Sequence, residues 1–263
     1  MITTPRRPAR SRPRRRPDHR RSRRRFGLGL TVLLTVALVA TALRGGSAPN
    51  LDQAVAVSAP ERALAPDGPP IPMLMASGPN GLELDLPIAQ ARVTAIVYHG
   101  VGDGRVVALA PAGHQKNASL LTRLGNLLTG ASEGSGPSYY IDGAGGGPET
   151  GSVDVGAVAG TRVYAPVDGT VVSIRPYVLD GSAHGSVVQL QPTSTPADIV
   201  TLTNIRTAGR ISVGDQVTAA RTRLGTVIDL SKVITQELAK FTSDAGNHVH
   251  IEVGPAPAAS LLL

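Results

Sequence analysis

Near its C-terminal end the sequence reads DAGNHVHIEVG, residues 244–254, with two histidines two apart and a glutamate two further on. These residue types serve as metal ligands and as general bases. In an extended strand alternate side chains share a face. His248, His250 and Glu252 then point one way, and Val249, Ile251 and Val253 point to a core. At ~3.3 Å per residue the two imidazoles stand roughly 6.6 Å apart. One can then hold a metal while the other takes a proton from a water, and Glu252 can hold an imidazole from behind. Taken alone, the pattern describes two surface histidines on an edge strand equally well.

Composition narrows the chemistry. The chain has 263 residues and no cysteine, which excludes disulfides, a thiol nucleophile and thiolate ligands. It has no tryptophan and two phenylalanines, leaving little for stacking on sugars or bases. The formal charge of +7 is concentrated in residues 1–25, which hold twelve arginines and one aspartate, so the remainder is net acidic. A basic run can bind nucleic acid or anionic lipid, and the next segment decides between them. Residues 26–43, FGLGLTVLLTVALVATAL, carry no charge and no proline. At ~1.5 Å per residue they span roughly 27 Å, close to the ~30 Å hydrocarbon layer. The expectation is therefore a single-pass cell-membrane protein without a nucleic-acid partner. Residues 1–25 form a cytoplasmic tail, 26–43 an anchor (or a signal sequence, with ATA at 40–42 as the cleavage site), and the C-terminal part is extracytoplasmic.

Residues 44–88 are rich in Pro, Ala, Gly and Ser, which predicts an extended linker. Residues 89–135 predict a small α+β subdomain. Its strands ARVTAIVYHG and GRVVALAPAG flank a turn at Gly102–Gly104, and its helix places Leu120, Leu121, Leu124, Leu127 and Leu128 on one face. The glycine-rich stretch before Ser152 has no strand-to-helix frame and no lysine, so it is no phosphate loop. From Ser152 onward, short strands alternate with turns, which predicts an antiparallel β domain over 136–263. One helix is expected in SKVITQELAKF, capped by Ser231.

Three stretches in this order, AGTRVYAPVDGTVVSI (159–174), VGDQVTAARTRLGTV (213–227) and GNHVHIEV (246–253), resemble the lysostaphin/LytM-type zinc metallopeptidases. That family hydrolyses peptide cross-links of bacterial peptidoglycan. The resemblance runs from Thr150 to Val253 and implies the family's antiparallel duplicated-hybrid-motif β core. The family's His-x-x-x-Asp motif puts a zinc-ligand aspartate at Asp154, and its first zinc-ligand histidine falls on Thr150. The Tyr-x-His-Leu motif falls on TLTNI, with Leu202 at the tyrosine and Asn204 in place of the catalytic histidine. The His-x-His motif makes His248 the general base and His250 a zinc ligand, while Asn247 stands where the family often has proline.

The resemblance thus implies the fold and removes two parts of the machinery. Threonine offers neither an anion nor an imidazole lone pair to zinc, so the expectation is a degenerate site without a bound cofactor. It implies a non-catalytic regulator or scaffold in cell-wall remodelling, partnered by peptidoglycan, a cell-wall hydrolase or an envelope protein. The alternative is an active zinc endopeptidase with a rebuilt ligand set, which requires His184 or His99 as the third ligand. His99, His114 and His184 are otherwise read as solvated loop residues. A biotinyl- or lipoyl-carrier reading of VYAPVDGTVV and GDQV needs a lysine at a hairpin tip, and Lys116, Lys232 and Lys240 lie in no such turn.

Overall fold

Alternation of apolar and polar residues organises the described part of the chain. A computed structural model describes residues 66–102, 105–120, 136–143, 145–207, 209 and 211–257. Fourteen strands are described: β1 (Leu74–Ser77), β2 (Glu83–Asp85), β3 (Ile96–His99), β4 (Ala110–Pro111), β5 (His114–Gln115), β6 (Ser138–Asp142), β7 (Ser152–Gly156), β8 (Arg162–Tyr164), β9 (Gly169–Leu179), β10 (Ser182–Pro192), β11 (Asp198–Thr207), β12 (Gln216–Val217), β13 (Arg223–Val227) and β14 (His248–Pro255). The main sheet runs β12-β9-β10-β11-β14-β7-β3-β6-β5, and β13 joins β11 to β8. A three-stranded sheet has the order β2-β1-β4.

The fold is mainly β, as the sequence predicts, and most pairs are antiparallel. The pairs β3–β6 and β5–β6 are parallel, so the sheet is mixed. Val249, Ile251 and Val253 of β14, Val153 and Val155 of β7, and Ile96 and Tyr98 of β3 have one fate: each is 0–1% exposed in one core. Full burial of such a side chain contributes about 1.5–3 kcal/mol, which fixes the opposite faces of these three strands toward the groove.

Three expectations change. Residues 74–88 are not tether: Met75, Leu82, Leu84, Leu86 and Ile88 are 0–1% exposed in the main core. The period-two run Leu82, Leu84, Leu86, Ile88 outweighs the prolines and glycines around it. Second, β3 does not pair with the segment after Gly102. It lies between β7 and β6, while the later segment yields only β4, paired with β1. The expected α+β piece therefore shares the main sheet. Third, residues 231–241 form turns and one 3₁₀ turn, Glu237–Lys240, in place of a helix. Val233 and Ile234 stay 39% and 41% exposed, and Leu238 is the only apolar side chain of the segment that is buried. The β-branched run Val233-Ile234-Thr235 is a poor helix former.

The expected helix after Ser119, residues 44–65 of the linker, the basic tail and the apolar segment 26–43 lie outside the described residues. Among those described, no helix is long and apolar enough to cross a membrane.

Candidate metal centre

Sheet register assembles the site in two rungs. In one, Thr203, His250, Asp154, Val97 and Tyr140 stand side by side across β11, β14, β7, β3 and β6. In the next, Thr201, Glu252, Ser152, His99 and Asp142 do the same. Asp154 and His250 are direct cross-strand neighbours, and His99 reaches Asp154 diagonally from one strand further out.

Asp154 is the centre. Its Oδ1 lies 2.6 Å from His250 Nδ1, and its Oδ2 lies 3.2 Å from His99 Nε2 and 3.6 Å from His248 Nε2. Burial works to raise the Asp154 carboxyl, but the imidazoles of His248, His250 and His99 overcome it and hold the group well below the usual carboxylate range. His250 is gripped on both sides, with Nε2 2.8 Å from Glu252 Oε1. Burial lowers the His250 imidazole, yet Asp154 and Glu252 together push it up to about 10. The Asp154 carboxylate likewise raises His99, against burial.

His99 is not a solvated loop residue. It ends β3, and its side chain is 26% exposed. Its Nδ1 lies 3.0 Å from the Gly100 carbonyl, so that N–H donates there and Nε2 turns to Asp154. Buried Ser152 sits beside the ring, 3.2 Å from Nδ1 and 3.1 Å from Nε2, and donates to the His99 carbonyl at 3.1 Å. Thr150, where the family motif has its first ligand, lies outside the cavity wall and accepts Leu109 N–H at its carbonyl. His184 lies in β10 and His114 in β5, neither on the cavity wall. The sequence held one signal for His99: the alternation Val97–His99 against Ile96–Tyr98.

Two nitrogens and a carboxylate oxygen, from His99, His250 and Asp154, all lie within 4.8 Å of one another. Two donors bound to zinc at ~2.0–2.1 Å stand roughly 3.3 Å apart in a tetrahedron, comparable to the 3.2 Å between His99 Nε2 and Asp154 Oδ2. The set has the chemistry of a zinc site, and Glu252 behind His250 is the outer carboxylate such a ligand usually has. The residues present therefore fit a divalent ion.

His248 is placed but engaged. Its Nδ1–H donates to the Gly246 carbonyl at 2.9 Å, and its Nε2 accepts from Asn204 Nδ2 at 2.9 Å. Asn204 reaches it through a bulge in β11, where the register shifts against β10 and Asn204 takes φ 62°. Its Oδ1 is buried without a partner. Leu202, at the family's tyrosine position, is 0% exposed in the core. Asn247 Oδ1 accepts Leu230 N–H at 3.0 Å, tying down the segment that walls the groove. The cavity has about 320 Å³ and is lined by these histidines, Asp154, Tyr177 and the apolar side chains Leu230, Ile234, Leu238 and Phe241.

The motif residues Asp154, His248 and His250 lie on adjacent strands of one sheet face, as the sequence resemblance to the lysostaphin/LytM family implies. No protein-family model matches the chain, and no curated protein matches it. Among solved structures it is similar to lysostaphin, at 19% identity over 39% of this chain and 35% of that one, with a TM-score of 0.28. It is also similar to a zinc-containing peptidase from Vibrio cholerae, at 15% identity over 40% and 26%, TM-score 0.28. A third is a chain of the SpoIIQ–SpoIIIAH pore-forming complex, at 20% identity over 41% and 67%, TM-score 0.27. The chain thus spans about a third of lysostaphin and a quarter of the Vibrio peptidase.

Proposed function

We propose that the chain is a membrane-anchored, wall-facing LytM-like protein that holds zinc and binds peptidoglycan peptide or an envelope partner without cleaving it. His99, Asp154 and His250 hold the ion, Glu252 orients His250, and the groove beside them takes the ligand. Bound zinc supplies Lewis acidity to an oxygen ligand. The observation that carries the non-catalytic reading is the Asn204–His248 hydrogen bond of 2.9 Å. A general base needs a lone pair directed at the proton it removes. Nε2 of His248 is occupied by an amide that cannot relay a proton as an imidazole does.

The cluster also favours a second reading, an active zinc endopeptidase, because the ligand set the sequence lacks at Thr150 is supplied by His99. One experiment separates the two. Zinc-loaded full chain is sedimented with purified peptidoglycan, and the supernatant is assayed for soluble fragments. Co-sedimentation without release is expected. Zinc-dependent release that disappears in His248→Ala would establish the endopeptidase instead, and absence of both binding and release would overturn the wall-binding role.

A further inference from the structure

Tyr177, on the long β9–β10 hairpin, has no role in the family motifs. It pairs with Gly185 of β10, and its side chain is part of the cavity wall together with His99, Asp154, His248 and His250. Its flanking residues Pro176 and Val178 are exposed, Val178 at 55%, whereas Tyr177 is half-buried, so the strand turns this side chain inward. Its partner Gly185 packs tightly on β11, where an added Cβ would stand 2.6 Å from the Ile205 carbonyl oxygen. Burial raises the phenol, and the charge of Asp154 adds to it. Its hydroxyl has no hydrogen-bond partner among the described residues, whereas Asn204 Nδ2 is already committed to His248.

We propose that Tyr177 is a recognition residue whose hydroxyl donates to a carboxylate seated on the cation held by His99, Asp154 and His250. The ligand is a peptide with a free C-terminal carboxylate and an apolar last side chain. This deepens the reading of the site as a metal-holding binding groove and rests on it. No lysine or arginine is among the described residues lining the cavity, so the cation is the one positive centre an anion would meet there. The rim acids Asp142 and Glu237 both act on Lys240, whose single charge offsets one of the two. Beside the cluster stand Ile234, 41% exposed, and Phe241, an apolar surface that a terminal side chain would cover.

The test uses the full chain in detergent, loaded with cobalt(II) in place of zinc so that the metal's visible spectrum reports its ligands. The probes are acetyl-alanyl-alanine with a free carboxylate and the same dipeptide as its C-terminal amide, titrated by calorimetry and by the cobalt spectrum. The free acid is expected to bind and shift the spectrum, and the amide to bind far more weakly. Tyr177→Phe should take up cobalt normally and lose about tenfold in affinity for the acid, the size of a hydrogen bond to a charged acceptor. Val178→Ala, on the outer side of the hairpin, should change neither. Equal affinity in Tyr177→Phe, or no preference for acid over amide in the cobalt-loaded chain, overturns the proposal and leaves the metal site standing. Failure of the unaltered chain to take up cobalt overturns both.

Discussion

His99 Nε2 and Asp154 Oδ2 stand 3.2 Å apart although β3 and β7 are joined by a long connection. That contact sets a third donor, a nitrogen, beside Asp154, where the sequence motif has Thr150. If it serves a metal, removing His99 must cost as much as removing a motif ligand. His99→Ala and His250→Ala should each lower zinc affinity by at least ~100-fold, the upper end of what loss of an outer-shell partner costs. Thr150→Ala should retain zinc. Elemental mass spectrometry after dialysis against trace zinc decides it. Zinc retained in His99→Ala would return the third position to another donor.

Glu252 tests the outer shell separately. Its Oε1 lies 2.8 Å from His250 Nε2 and fixes which nitrogen faces Asp154. Glu252→Gln keeps the shape and removes the charge, so zinc affinity should fall by about 10–100-fold without unfolding. Competition against a chromophoric chelator measures it.

The site was partly legible in the sequence. The alternation in HVHIEV and SVDVG gives β14, β7 and their faces, because period-two patterning is a local property. His99 was not legible as a partner of Asp154, since its place depends on β3 pairing with β7, and long-range register leaves no local mark. The composition of residues 44–88 hid the core strands β1 and β2, although Leu82, Leu84, Leu86 and Ile88 alternate openly. Asn204 was legible as a substitution but not as a clamp, because its contact depends on a bulge with φ 62°.

The metal-free site makes a pH prediction. His250 is pushed up to about 10 by two carboxylates, above its ordinary 6.5, so its stabilisation is complete below about 6.5 and is lost as pH rises through about 10. Asp154 is held below its ordinary 3.8, so its contribution is present above that value and is lost as pH falls further. The chelated protein should therefore be most stable between these limits, and its melting temperature should fall toward pH 10. Zinc must displace the His250 proton, so uptake near neutral pH should release protons. Calorimetry in buffers of different ionisation enthalpy reads that release directly.

Asn204 combines a clamp with a left-handed backbone. Asn204→Gly removes the bond to His248 and keeps φ 62° accessible, whereas Asn204→Ala removes the bond and adds strain of about 1–2 kcal/mol. The glycine variant should be the more stable of the two in urea unfolding. With Nε2 of His248 released, the zinc-loaded Asn204→Gly chain should liberate soluble fragments from peptidoglycan where the parent liberates none. If it does not, the Asn204 bond is not what silences the site.

Gly100 couples the third donor to the groove wall. A Cβ there would stand 2.5 Å from the Gly146 carbonyl oxygen, and one at Gly145, where φ is 94°, would stand 2.2 Å from the Gly100 carbonyl oxygen. Two backbones approach so closely here that neither residue can carry a side chain without displacing the other. The same Gly100 carbonyl accepts from His99 Nδ1 and aims its ring. Gly100→Ala should therefore do two things together: destabilise the fold by about 1–3 kcal/mol through overpacking, and weaken zinc binding by turning His99 away from Asp154. A variant that loses stability but binds zinc unchanged would show that His99 is aimed by Ser152 alone.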